Sequence, residues 1–299
     1  MTKARQIKPA ERTYRGTRTD PGRWATWEPR VGDILVCTPP KCGTTWTQTI
    51  LTMLVYGGPD LPGKVPELSP WVDADLGVSA EEVQAALDRQ TGRRVVKTHT
   101  PADGFPVWEG VTVVAVYRHP LDVFFSLRKH IANIRDVPAD DPALMPVPHS
   151  LALFRDAETR IDDFDRDCLA SIALHHEKTA LSGRIPDVKV FHYADMIRDG
   201  RKAVERLAYA AGIEADPALI DRVTEATSFG AMKAKAADFA PVGGTGFWKT
   251  DAGFFDSASS RKWEGQLSDA EFALFQARMA DLIPDAGTRR WLENGVGST

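Results

Sequence analysis

A run of small, polar and basic residues between Cys37 and Trp46 is the part of the chain best suited to chemistry. It reads Cys-Thr-Pro-Pro-Lys-Cys-Gly-Thr-Thr-Trp and separates an apolar stretch, residues 31–36, from an amphipathic one, residues 46–56. A strand, a tight loop and the start of a helix in that order turn backbone N–H groups toward an anion. Lys41 adds a full positive charge, so the pattern predicts a phosphate-binding loop.

A second candidate site is the segment Lys-Thr-His-Thr-Pro at residues 97–101. Lys97 and His99 are two residues apart, so both side chains leave the same face of a strand. Ligands of open α/β sheets bind beyond the carboxyl ends of the strands. Because the neighbouring positive charge favours the neutral imidazole, His99 is suited to accept a proton.

A third strand end carries Arg118, and the predicted helix after it carries Ser126. Arginine offers a planar fork of donors that matches a phosphate, and a serine hydroxyl can donate to the same group. Three strand ends thus present Lys41, Lys97 with His99, and Arg118. This arrangement predicts a ligand with phosphate groups at more than one position.

Two other functions remain open at this point. A small-molecule kinase is disfavoured, because Lys41 precedes Gly43 and the loop therefore differs from Gly-x-x-x-x-Gly-Lys-[Ser/Thr]. No acidic strand end suited to Mg²⁺ is evident either, and the sequence shows no cluster of metal ligands. A catalytically silent nucleotide-binding protein is the other alternative, although binding alone would not require the base His99.

The elements that must position these residues follow from hydrophobic periodicity. Short valine-rich runs predict strands that are buried on both faces of a parallel sheet, at residues 31–36, 93–97, 111–117 and 188–192. Amphipathic runs predict helices at residues 46–56, 79–90, 120–131, 163–181, 194–211, 216–226 and 268–282. Strands that alternate with helices predict a doubly wound α/β fold.

Composition narrows the class of protein. A chain of 299 residues can bury a large core, and we expect one domain over residues 1–299. A net charge of -4 argues against nucleic-acid binding. Residues 1–24 contain no apolar run that predicts a secretory signal, and no stretch of about 18 apolar residues predicts a membrane span.

Cysteine usage bears on the compartment and on one candidate nucleophile. The chain has three cysteines, an odd number without zinc-like spacing, which fits a reducing, cytoplasmic compartment. Cys42 lies in the predicted anion loop, where a helix N-terminus could lower its pKa. We favour the simpler interpretation, in which Cys42 is a small side chain that fills the loop.

Three stretches fall outside the regular pattern. Residues 1–30 form a polar N-terminal extension, which we expect Trp24 and Trp27 to attach to the body. Residues 136–149 carry four prolines and predict an exposed loop. Residues 233–260 lack periodicity, and a loop of this length predicts a mobile lid. Its aromatic residues either line an apolar pocket or attach the loop to the core.

Taken together, these segments resemble the cytosolic-type sulfotransferases. Residues 40–46 are similar to that family's Pro-Lys-Ser-Gly-Thr-Thr-Trp, with Cys42 in place of the usual serine. Residues 97–101 are similar to its Lys-Thr-His-Leu-Pro, and residues 118–126 to its Arg-Asn-x-x-Asp-Val-x-x-Ser. Weaker matches begin at Tyr193 and Thr227.

The resemblance implies a central parallel sheet flanked by helices, in the three-layer architecture of P-loop NTPases. It also implies a donor, 3′-phosphoadenosine 5′-phosphosulfate (PAPS), with PAP as its product. By motif position it assigns the 5′-phosphosulfate to Lys41, Cys42, Gly43, Thr44 and Thr45. It assigns the 3′-phosphate to Arg118 and Ser126, and the adenine to Trp46, Tyr193, Thr227 and Phe229.

The resemblance further implies transfer of a sulfuryl group to an acceptor hydroxyl without a metal. It assigns His99 as the base, Lys41 to the bridging oxygen and Lys97 to the sulfuryl group. We expect a small, partly apolar acceptor in a pocket that includes Phe105, Trp108 and Phe247. The identity of the acceptor and the oligomeric state stay open.

One departure from the family pattern concerns the 3′-phosphate. The family's Arg-Lys-Gly segment is replaced by Asp-Ser-Ala at residues 256–258, although Phe254, Phe255 and Trp263 keep the frame. An aspartate repels a phosphate. Arg261 and Lys262 are the candidates to replace the missing cations. The alternatives are weaker binding of the donor and a segment that orders only when the donor binds.

Overall fold

The computed structural model describes residues 2–296 and has a four-stranded parallel sheet at its centre. The strands are β1 (Gln6–Lys8), β2 (Ile34–Cys37), β3 (Val95–Thr98), β4 (Val107–Trp108), β5 (Thr112–Tyr117) and β6 (Lys189–His192). The order in the central sheet is β3-β2-β5-β6, while β1 and β4 form a separate antiparallel pair. The four predicted strands are thus confirmed as the central sheet.

Helices connect the strands and cover both faces of the sheet. They are α1 (Thr44–Val55), α2 (Val65–Leu68), α3 (Ala80–Asp88), α4 (Pro120–Ala132), α5 (Val147–Asp156), α6 (Leu169–His176), α7 (Tyr193–Arg198), α8 (Gly200–Ala210), α9 (Pro217–Ala226), α10 (Phe229–Ala234), α11 (Ala236–Phe239), α12 (Asp269–Leu282) and α13 (Ala286–Asn294). Crossover helices between parallel strands produce this layered arrangement.

The alternation of side chains along each strand explains the three layers. Ile34 and Val36 belong to one core with α1, α8 and α9, whereas Leu35 and Cys37 face the opposite side. On that side the N-terminal segment, α4, α5, α6 and α12 pack against the sheet. The α/β fold with a central parallel sheet between helical layers is therefore confirmed.

Several predicted helix bounds are wrong for identifiable reasons. The helix predicted from residue 163 begins only at Leu169, because Cys168 is its extended N-cap; it then continues through a π-helical turn, Glu177–Leu181. The helix predicted over residues 194–211 breaks at Asp199, whose side chain accepts a hydrogen bond from Lys202 N and starts α8. Helix α5 begins near the end of the proline-rich stretch, residues 136–149, and continues beyond it; this helix was not predicted.

The N-terminal segment lies under the sheet. Trp24 and Trp27 are buried and pack against Phe105 and Trp108, with ring centroids 5.1 Å apart for Trp24 and Phe105 and 4.9 Å for Trp27 and Trp108.

No helix of the described residues has the length and apolar content needed to cross a membrane.

Candidate active site

A cavity of about 1590 Å³ opens where β2, β3 and β5 end. It lies at the carboxyl edge of the sheet, where ligands of such folds bind. The basic residues of the three predicted strand ends all line it, together with Ser126: Lys41, Lys97, His99 and Arg118. The sequence motifs therefore converge on one site.

The loop between β2 and α1 has a conformation that its residues make possible. Lys41 has a φ of 62° and Gly43 a φ of 96°, and both lie in the left-handed region. A Cβ added to Gly43 would lie 2.8 Å from the Tyr193 ring, so only glycine fits there. Gly43 then caps α1, whose first residues, Thr44 and Thr45, line the cavity and whose first N–H groups have no partner within the helix.

Cys42 has a different place from its neighbours. Its side chain is fully buried in the core that contains Tyr117 and Leu121, and burial raises the pKa of the thiol to about 12. The suggested lowering of this pKa by the helix N-terminus is thus wrong, because desolvation outweighs it. Cys37 and Cys168 are buried as well.

His99 is oriented by the backbone of the neighbouring strand end. Its Nδ1 lies 2.7 Å from the carbonyl oxygen of Thr38, which can only accept, so Nδ1 carries the proton. Nε2 is then the nitrogen that is free to accept a proton. Burial and the positive charge of Lys97 hold the pKa of His99 well below its usual range, and the ring stays neutral. Trp71 packs edge-on against it at 4.6 Å.

The two lysines at the site are less basic than exposed lysines. Burial, followed by repulsion from Arg118 and Lys262, lowers the pKa of Lys41 to about 7. Burial lowers the pKa of Lys97 to about 8, and its Nζ lies 4.7 Å from the Trp71 ring centroid. An incoming anion would stabilise the charged form of both groups.

Arg118 contacts three parts of the site: the loop after β2, the segment that contains Ser259 and the ring of Tyr193. Its guanidinium donates to the carbonyl oxygens of Lys41 at 3.3 Å and Ser259 at 2.7 Å, and it lies 4.4 Å from the Tyr193 ring centroid. Its Nε is buried and has no hydrogen-bond partner within the described residues. A buried donor left free beside a cavity fits an anionic ligand.

Aromatic residues line the cavity beside Arg118. Trp46 and Tyr193 meet edge to face at 5.9 Å, and Thr227 and Phe229 line the same cavity. The indole N–H of Trp46 is buried without a partner in residues 2–296. All four residues predicted to contact the adenine therefore line this cavity. The hydroxyl of Thr227 donates a hydrogen bond to the carbonyl oxygen of Val223 at 2.7 Å.

The segment that departs from the family pattern places an aspartate among cations. Asp256 pairs with Lys129 at 2.8 Å and also with Lys262. Lys262 lines the cavity, whereas Arg261 turns away and pairs with Glu264 at 3.3 Å. The structure therefore places one of the two candidate replacement cations at the site, and Arg261 outside it.

Of the three residues predicted to line the acceptor pocket, one lines the cavity and two do not. Phe247 lines the cavity and is 44% exposed. Phe105 and Trp108 do not line it, because both are buried in a core that also contains Trp24 and Trp27. Trp248 and Phe254 contribute the aromatic wall instead.

His130 also lines the cavity, although no sequence motif indicated it. Its Nδ1 lies 2.9 Å from Lys41 Nζ, and its ring contacts Trp248 at 4.8 Å. The signal was available, since His130 follows Ser126 by four residues on α4 and therefore shares its face.

Comparisons with known proteins agree with this geometry. A family model described as "Sulfotransferase domain" matches residues 31–287. A glycolipid sulfotransferase of Mycobacterium bovis is 33% identical over 300 residues, which cover 91% of this chain and 91% of that protein.

Solved structures show the same fold. A crystal structure of a mouse sulfotransferase complexed with PAP matches with a TM-score of 0.68 at 18% identity, over 92% of this chain and 93% of that one. A retinol dehydratase in complex with retinol and PAP matches with a TM-score of 0.67 at 15% identity, over 86% and 82% of the two chains. With its family match over most of its length, the chain belongs to the sulfotransferase family.

Proposed function

We propose that this sulfotransferase transfers a sulfuryl group from PAPS to a hydroxyl of a small, partly apolar acceptor, with His99 as the base. The observation that carries the proposal is a single cavity that is lined both by the neutral His99 and by four basic residues: Lys41, Lys97, Arg118 and Lys262. A doubly phosphorylated nucleotide needs such a cluster of cations, and an acceptor hydroxyl needs a base.

The residues present fit this donor. Two buried donor groups, Arg118 Nε and Trp46 Nε1, have no partner among the described residues and border the region that would hold it. The loop around Gly43 offers N–H groups to the 5′ end, and Arg118 with Ser126 and Lys262 offers donors to the 3′ end. PAP is bound in the mouse sulfotransferase structure and in the retinol dehydratase structure described above, which supports the choice of nucleotide.

The donor, when bound, supplies an activated sulfuryl group, and the chain's own residues do the rest. Sulfuryl transfer resembles loose phosphoryl transfer, in which positioning and electrostatic stabilisation provide most of the rate. Lys41 offsets the negative charge that grows on the leaving oxygen, and Lys97 steadies the sulfuryl oxygens. His99 accepts the acceptor's proton at Nε2, because Nδ1 is held by Thr38.

The acceptor region favours an amphipathic molecule. Its wall includes the half-exposed apolar residues Leu76, Val78 and Phe247, together with the buried Trp248. The glycolipid sulfotransferase relative and the retinol-bound structural neighbour both point to acceptors that join a hydroxyl to an apolar body. An apolar wall near a polar reaction centre suits such molecules.

Neutralising Asp256 is expected to strengthen binding of PAP. Asp256→Asn keeps the shape of the side chain but removes a negative charge that pairs with Lys262 at the 3′-phosphate end. We expect the Kd for PAP to fall about three- to tenfold at low salt, and the gain to shrink as salt rises. Isothermal titration calorimetry measures both effects.

The matched control is Asp281→Asn, at an exposed position of α12 that does not line the cavity, which should leave the Kd unchanged. Weaker binding in Asp256→Asn would mean that the carboxylate instead holds Lys129 and Lys262 in place.

A donor comparison tests the proposed function itself. The purified chain is incubated with a panel of hydroxylated compounds and either ³⁵S-labelled PAPS or ³²P-labelled ATP with Mg²⁺. We expect labelled product with PAPS alone, and no requirement for Mg²⁺. Label from ATP would favour a kinase, and binding of PAP without transfer to any compound would favour a silent nucleotide-binding protein.

A further inference from the structure

Lys41 has one hydrogen-bond acceptor among the side chains of the described residues, and that acceptor is His130. The distance from Lys41 Nζ to His130 Nδ1 is 2.9 Å. A lysine ammonium can only donate, so Nδ1 must be the bare nitrogen of a neutral ring. Burial and the nearby cations, Lys41 first among them, hold the pKa of His130 well below its usual range, which keeps that nitrogen bare.

The surroundings make this acceptor important to Lys41. Burial is the largest cause that lowers the pKa of Lys41 and so favours the neutral lysine, and repulsion from three cations lowers it further. The charged and titratable groups facing the Lys41–His130 pair are Arg18 in the N-terminal segment, Lys97 and His99 at the end of β3, Arg118 after β5, Asp167 before α6, and Lys262 before α12. Asp167 is the one anion in this set, and it makes no ion pair with Lys41 within 4.0 Å in residues 2–296.

The position of His130 is itself fixed from two sides. It lies on α4 one turn beyond Ser126, and its ring packs against Trp248 at 4.8 Å and Phe254 at 5.6 Å. The segment that carries these rings is tied to the end of α4, where Lys249 N donates to the carbonyl oxygen of Asn133 at 2.7 Å. The imidazole is therefore held between this aromatic wall and the Lys41 ammonium.

We infer that His130 is a positioning residue for the reaction, which accepts a hydrogen bond from the Lys41 ammonium and so fixes its direction and its charge. This inference rests on the proposed function, in which Lys41 offsets charge on the leaving oxygen. A lysine with a flexible four-carbon stem and no acceptor would be free to rotate and to lose its proton. The hydrogen bond to His130 restricts this rotation and favours the protonated form of Lys41 before any donor binds.

Two substitutions separate this role from simple packing. His130→Phe keeps an aromatic ring against Trp248 and Phe254 but removes the acceptor. His130→Asn loses the ring but keeps an oxygen near the place of Nδ1. A positioning role predicts that the asparagine variant resembles wild type, whereas a packing role predicts that the phenylalanine variant does.

The primary measurement is an NMR titration of Lys41 in protein labelled with ¹³C at lysine Cε, with the signal assigned by its loss in Lys41→Met. We expect the Lys41 titration midpoint in His130→Phe to lie about one pH unit below that of wild type, and that of His130→Asn to stay close to it. His149→Phe, at an exposed position of α5, is the matched control and should not move the midpoint.

Turnover with PAPS and 2-naphthol as a phenolic probe gives the second readout. We expect kcat of His130→Phe to fall about tenfold, with the basic limb of the pH profile moved to lower pH and KM for the probe little changed. His130→Asn should recover most of the loss, and both variants should bind PAP as wild type does.

Equal Lys41 titration in wild type and His130→Phe would overturn the inference, as would asparagine and phenylalanine variants that behave alike. The titration needs no turnover, so it decides the role of His130 independently. A wild-type chain that transfers sulfate to no probe would count against the proposed function alone.

Discussion

Replacing His99 with asparagine is expected to lower kcat by about 10³-fold while the affinity for PAP stays within about twofold of wild type. The asparagine amide can still donate to the carbonyl oxygen of Thr38, which now receives the Nδ1 proton at 2.7 Å. The variant therefore keeps the local structure and loses only the nitrogen that accepts the acceptor's proton. Transfer of ³⁵S from labelled PAPS measures the rate, and calorimetry measures binding of PAP.

The matched control for this change is His149→Asn on α5, where the side chain is exposed and does not line the cavity. It should keep the wild-type rate. A His99→Asn variant with a nearly normal rate would remove His99 as the base, and the search for a base would then turn to the other groups that line the cavity.

Replacing Arg118 with alanine is expected to weaken PAP binding by about 10²-fold or more, because a buried guanidinium provides charge-assisted hydrogen bonds to phosphate. Arg118 also donates to the carbonyl oxygens of Lys41 and Ser259 and lies over the Tyr193 ring. We therefore expect a part of the loss to come from a looser loop. Calorimetric titration with PAP measures the change.

Arg118→Lys helps to divide these contributions, because it keeps the charge and loses the planar fork. Arg290→Ala, at an exposed position on α13, controls for the loss of one positive charge and should bind PAP normally. An Arg118→Ala variant with wild-type affinity would place the nucleotide elsewhere in the molecule.

The central sheet was predictable because its residues carry the signal locally. Val95, Val113 and their neighbours are apolar on both faces, a pattern that parallel strands require. The cation positions were predictable for a related reason: a residue at or just after the carboxyl end of such a strand lies at the edge of the sheet where Lys41, Lys97 and Arg118 meet.

The rest depends on contacts that are distant in the sequence. Phe105 was assigned to the acceptor pocket from its type alone, and the structure buries it beneath Trp24, more than 80 residues away in the chain. The pairing of Asp256 with Lys129 is likewise invisible to local periodicity. The mobility of residues 233–260 stays a prediction.

The burial of Cys37, Cys42 and Cys168 leaves the native surface without a reactive sulfur. A maleimide dye should therefore label the wild-type chain poorly and label a single introduced cysteine selectively. Ser257→Cys, next to Asp256 at the rim of the cavity, would report by fluorescence whether this segment moves when the nucleotide binds. The chain is thus ready for single-site spectroscopy without prior removal of its own thiols.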